Sequence, residues 1–140
     1  MKVEVKQVDG LTMAGRGESG HWIIMDGPKE FGGSEAASKP MELFLLSLAG
    51  CTGMDVISLL NKMRVDFQDI RIRAETERSK EHPKVFTSIK LEYLIYGNDI
   101  DKRKVEKAIN KSQNLYCSAS IMLKKIVPIN YTYTIIPREE

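Results

Sequence analysis

The segment from Lys39 to Met63, KPMELFLLSLAGCTGMDVISLLNKM, constrains this chain more than any other. It is apolar on nearly every side until Asn61-Lys62, and a helix of that kind must be buried centrally, against a sheet and a partner helix. Pro40 suits the first helical position, where its missing N–H costs nothing, with Ser38 or Lys39 as the cap. Gly50 and Gly53 each cost a helix interior about 1 kcal/mol relative to alanine, so close approach to the backbone is expected at both. Between them sits Cys51, and Cys117 is the other cysteine of the chain.

The segments around this helix are mostly strands. KVEVKQV at 2–8 alternates apolar and charged residues, and Asp9-Gly10 supplies a tight turn. A second strand is expected over 11–15, another turn over 17–20, and a third strand at 21–25, HWIIM. Residues 26–39 follow no helical or strand period, and loops of that length in small domains are functional or mobile. Strands at 67–77 and 85–96 form a hairpin through EHPK, with Ile89, Leu91, Tyr93 and Ile95 on one face. Asn98 to Asp101 open a helix with the stripe Val105, Ala108, Ile109, Ser112 and Leu115. A further helix starts at Cys117 and ends before Pro128, and INYTYTII at 129–136 closes the chain as a strand. This is an α+β pattern of antiparallel sheets around a long central helix.

At 140 residues, with 42% hydrophobic and 29% charged positions, one domain over 1–140 is expected. No apolar run of about 18 residues and no secretory signal pattern is read in the sequence, so the expected compartment is the cytoplasm, without membrane attachment. Its 21 basic and 19 acidic side chains are interspersed and leave a net charge of +2, which argues against a nucleic-acid partner. The Lys102, Lys104, Lys107, Lys111 series and the Lys124-Lys125 pair read as solvated helix faces.

A single cysteine is often a small buried hydrophobe. The glycines beside Cys51, the reducing compartment and the second cysteine shift the reading toward redox chemistry. Cys117 at a helix start faces unpaired N–H groups that stabilise a thiolate, whereas mid-helix Cys51 needs a nearby cation. Asp55 lies one turn beyond Cys51, where an unpaired carboxylate would oppose ionisation of the thiol. It is therefore expected to meet a cation or cap a backbone group. His21 is a possible supporting donor, and His82 belongs in a solvated turn. Met25, Met41, Met54, Met122 and Phe44 are either core filling or the lining of an apolar pocket.

The segments PMELFLLSLAGCTGMDVISLLNKM and NLYCSASIML, the preceding GG loop, SGHWIIMD and the element order together resemble the OsmC/Ohr family, the osmotically inducible protein C and organic hydroperoxide resistance proteins. The resemblance spans nearly the whole chain, and CTGMD is similar to a less characterised OsmC-like subgroup. It implies an intertwined homodimer with active sites at the subunit interface, and a thiol peroxidase of the oxidative stress response that uses no metal or other cofactor. Cys51 then corresponds to the cysteine that attacks the hydroperoxide, Cys117 to the resolving cysteine, and Arg16 to the arginine that pairs with the thiolate. An external dithiol would complete the cycle. The family carboxylate that holds the arginine directly follows the helix-opening proline. Here that position is Met41, and Glu42 comes one place later, rotated by about 100°. Ser118 stands where the peroxidase branches often have proline.

The alternative within this fold is a non-catalytic dimer that senses redox state or binds a small molecule. A metal site from Cys51, Cys117, His21 and His82 matches no zinc spacing. A serine hydrolase lacks the nucleophile-elbow motif.

Overall fold

The computed structural model describes residues 1–138. By its internal contacts the chain divides into two compact units, Met1–Leu45 and Leu46–Glu140, the boundary falling within the long helix.

The first unit is a meander of β1 (Val3–Asp9), β2 (Thr12–Gly17) and β3 (Trp22–Met25), paired antiparallel in that order. Asp9 pairs with Thr12 across Gly10 and Leu11, and Gly10 adopts φ +53°, which a glycine accepts without strain. The loop that follows is built around Asp26, only 2% exposed. Its carboxylate accepts from the backbone N–H groups of Gly27 (2.7 Å), Ala36 (3.1 Å) and Ser34 (3.3 Å), and from the Thr12 hydroxyl (3.1 Å). These bonds, led by that from Gly27, hold its pKa below the usual carboxylate value. A Cβ at Gly33 would lie 2.0 Å from the Gly27 carbonyl oxygen, so the loop closes only with glycine there. An aperiodic sequence thus becomes an ordered loop because one buried carboxylate collects its N–H groups.

Helix α1 runs from Pro40 to Lys62. The Lys39 carbonyl accepts from the N–H groups of Glu42 and Leu43, and Glu42 Oε2 accepts from the Lys39 N–H at 2.9 Å. Lys39 is therefore the cap, and Glu42 returns to it as the third residue of a capping box does.

The second unit places α1 from Leu46 onward against β4 (Asp69–Arg78) and β5 (Phe86–Tyr96), with β6 (Ile129–Ile136) completing the sheet. β4 and β5 pair antiparallel, but β6 runs parallel to β5, with Ile89 opposite Ile129 and Tyr96 opposite Ile136. The purely antiparallel expectation is corrected here. The chain between β5 and β6 carries α2 (Lys102–Lys111) and α3 (Ser118–Leu123), and a crossover of that length returns the strand in the same direction. Ile89, Leu91, Tyr93 and Ile95 are buried on one face of β5, as the alternation required, with Val56 and Leu60 of α1 and Val105, Ala108 and Ile109 of α2.

α1 is long and apolar enough to cross a bilayer, with a mean hydropathy of 1.9 over 18 residues. In this fold Leu48, Val56 and Leu60 pack into the core, and its polar Thr52 is buried and hydrogen-bonded. Thr52 Oγ1 lies 2.7 Å from Tyr93 Oη and 2.8 Å from Ser112 Oγ, while Gln113 Nε2 donates to Tyr93 Oη (2.8 Å) and Thr52 Oγ1 (3.1 Å). The cluster joins α1, β5 and the turn after α2. That turn, Ser112–Tyr116, is π-helical, closed by the Cys117 N–H on the Ser112 carbonyl (2.8 Å). Its extra residue breaks the predicted stripe: Ser112 is sealed, but Leu115 is 62% exposed.

The two glycines of α1 differ. A Cβ on Gly53 would meet Ile72 Cγ1 of β4 at 3.1 Å, so close approach is real there, whereas at Gly50 the chain leaves open space.

Two outcomes follow from this packing. Gly53→Val overfills the contact with Ile72 and should lower stability by about 2 kcal/mol in urea denaturation. The Tyr93 phenol is pushed up to about 12, chiefly by burial. Below pH 10 it is neutral whether folded or unfolded. Above that only the unfolded chain ionises, so stability should fall by about 1.4 kcal/mol per pH unit up to about pH 12, and the fall should be smaller by that amount in Tyr93→Phe.

Candidate functional site

Cys51 sits one turn before Asp55 on α1, and Cys117 stands at the cap position of α3, where its sulfur accepts from the Ser120 N–H at 3.3 Å. The π-turn presents Cys117 to α1. Both cysteines are free thiols, and their sulfurs and a carboxylate oxygen of Asp55 all lie within 4.8 Å of one another. Cys51 is half-buried; Cys117 is fully sealed.

Burial pushes the Cys117 thiol up, and the neighbouring Cys51 adds to the rise, while the Ser120 N–H and hydroxyl oppose it. The expected thiolate at a helix start is therefore corrected: the short α3 provides its N–H groups, but loss of solvent outweighs them. Lys124 is the cation whose charge interacts with Cys117. It is not the solvated side chain expected from the Lys124-Lys125 pair. Its ammonium folds back to donate to the Gln113 carbonyl at 2.7 Å, and burial lowers its pKa.

Among the described residues Asp55 meets neither a cation nor a backbone group as its hydrogen-bond partner. Its Oδ2 accepts from Ser112 Oγ at 3.0 Å, which ties the carboxylate to the Thr52–Tyr93–Gln113 cluster. Asp55 also lines a cleft of about 160 Å³ that opens to solvent, with Ser58, Leu59, Lys62 and Tyr116.

Arg16, His21 and Glu42 belong to the first unit. Arg16, on β2, carries its guanidinium 4.7 Å from the ring centre of Trp22, its cross-strand partner. His21 is exposed just before β3. Glu42 serves the helix cap described above. His82 is exposed in the β4–β5 turn and does not join the donor group of Cys51, Asp55 and Cys117. That group offers three donors where a closed structural zinc site takes four.

Ser112, Thr52, Gln113 and Lys124 escaped the sequence reading as parts of this site. Polar residues inside otherwise apolar helical stripes, Thr52 on α1 and Ser112 after α2, were the available signal, since a buried hydroxyl needs a partner.

A profile of the OsmC-like protein family matches residues 32–132. Protein YhfA of Escherichia coli K12 is 38% identical over 136 residues, which cover 97% of this chain and 98% of that protein. Among solved structures, a hypothetical protein from Aquifex aeolicus VF5 superposes with a TM-score of 0.85 at 28% identity, over 99% of this chain and 97% of that one. An organic hydroperoxide resistance protein OsmC from Legionella pneumophila shares the fold with a TM-score of 0.70 at 18% identity, over 96% and 97% of the two chains. The family match over most of the sequence, the YhfA likeness along nearly its full length and the α+β fold agree: the chain belongs to the OsmC-like family.

Proposed function

We propose that the protein is a cysteine-based peroxidase that reduces organic hydroperoxides, with Cys51 as the attacking sulfur and Cys117 as the resolving one. The observation that carries this reading is the pair of free thiols held within 4.8 Å, one partly reachable and the other sealed behind it. Organic hydroperoxide resistance proteins of Legionella pneumophila and Bacillus subtilis share the fold.

The Cys51 thiolate attacks one peroxide oxygen and breaks the O–O bond, leaving a sulfenic acid on Cys51 and releasing an alcohol once the departing oxygen gains a proton. Cys117 then displaces the hydroxyl to form a disulfide, which an external dithiol reduces. The chain needs no metal or organic cofactor for these steps. Arg16 is the activating cation and His21 a supporting donor in this reading. Glu42, one place beyond the position of the family carboxylate, accepts the Lys39 N–H with Oε2, which leaves its other oxygen for an arginine. Exposed Met54 and Met122, on the two cysteine-bearing helices, suit an apolar substrate.

The working form is a homodimer. Leu46, Gly50, Met54 and Ile57 make one exposed stripe along α1, and Val3, Val5, Trp22, Ile23 and Ile24 are exposed on the first sheet. A second copy is the partner that the family resemblance implies for these faces, and open Gly50 lets two helices approach closely. The compartment is the cytoplasm, where a dithiol reductant keeps the cycle turning. A redox-sensing dimer with a slow disulfide is the second reading, favoured by the seclusion of Cys117 and the upward push on its thiol.

Consumption of cumene hydroperoxide with excess dithiol should fall to background in Cys51→Ser, and equal rates in the two proteins would remove the enzyme reading. Light scattering should give about twice the 15.9 kDa chain mass. Leu46→Asp combined with Met54→Asp should shift the protein toward monomer.

A further inference from the structure

We propose that Asp55 carries the proton of the resolving step, taking it from the Cys117 thiol as that sulfur attacks and returning it to the oxygen that leaves Cys51. The inference rests on the peroxidase reading and deepens it.

The resolving step has a difficulty specific to this site. Attack on the sulfenic sulfur requires a thiolate, but Cys117 is fully buried and its environment keeps the proton on. Hydroxide is also a poor leaving group, so the sulfenic oxygen must gain a proton as the S–O bond breaks. One group in reach of both sulfurs meets both needs. The Asp55 carboxylate is that group, because its oxygen and the two sulfurs are mutually within 4.8 Å.

The surroundings fit the role. Asp55 follows Cys51 by one helical turn, which sets its side chain alongside that sulfur. Oδ2 is held by the Ser112 hydroxyl at 3.0 Å, and Ser112 is in turn fixed by Thr52 at 2.8 Å, so the carboxylate is aimed by a buried cluster. Asp55 also lines a cleft open to solvent, by which a small acid can reach the site.

The step balances without another reactant. The Cys117 S–H proton passes to Asp55, the S–S bond forms, and the S–O bond of Cys51 breaks. The leaving oxygen takes the proton from Asp55 and departs as water. Cys117 is oxidised, the Cys51 sulfur is reduced from sulfenic acid to disulfide, and Asp55 ends as it began.

The test separates this inference from the reading beneath it. Cys117→Ser treated with cumene hydroperoxide should accumulate a sulfenic acid that a dimedone probe traps. No trapped product would overturn both the peroxidase and the proton-carrier readings. Stopped-flow comparison of wild type and Asp55→Asn should then show peroxide attack no slower, because a charge opposing the Cys51 thiolate is removed, and disulfide formation slowed about 100-fold. Asparagine still accepts from Ser112, and circular dichroism checks its fold. In Asp55→Ala, added formate should restore disulfide formation in proportion to its concentration, entering by the cleft. Wild-type resolving rates in Asp55→Asn, or a slow step in Asp55→Ala that formate leaves unchanged, would overturn the proton carrier while leaving the peroxidase intact.

Discussion

The second unit depends on one buried polar cluster, in which Thr52 of α1 meets Tyr93 of β5 and Ser112 and Gln113 of the π-turn at 2.7 to 3.1 Å. These four side chains are fully buried, so each hydroxyl or amide left without its partner would bear a desolvation cost of about 1 to 3 kcal/mol. Apolar packing alone would allow α1 to slide or rotate on the sheet. The cluster allows one register, and that register places Cys51 and Asp55 before Cys117.

The π-turn is the second part of the same device. A regular helix continued from α2 would have kept Leu115 on the buried stripe, whereas the wider turn seals Ser112 and Gln113 and leaves Leu115 exposed. The Ser112 hydroxyl and the Gln113 amide N–H groups then find partners on α1 and β5. The turn also ends the helix at Cys117, whose sulfur caps the next one. Local irregularity thus serves the site, as π-bulges often do.

Burial divides the two thiols. Cys51 keeps partial access to solvent, while Cys117 loses it and its thiol is pushed above the ordinary value. Lys124 interacts favourably with the Cys117 thiolate but is itself partly desolvated and committed to the Gln113 carbonyl. A carboxylate at the meeting point of the two sulfurs therefore has more to do with moving a proton than with stabilising a charge.

Much of the architecture could be read from residue order: the alternation of β1, β4 and β5, the proline-entered α1, the buried face of β5 and the helix ends at Asp101 and Cys117 are local or periodic signals. Cys51 and Cys117 stood out as chemistry for the same reason, being the only thiols, one beside glycines and the other at a helix start. Other features depended on partners far along the chain. The direction of β6, the ordering of the 26–39 loop around Asp26, the close contact at Gly53 but not at Gly50, and the recruitment of Ser112, Gln113 and Lys124 to the thiols belong to this class. Periodicity reports which face of an element is apolar, because that follows from backbone geometry. Which buried hydroxyl finds which partner, and whether desolvation or a helix start governs a thiol, is decided only when segments tens of residues apart exclude water together.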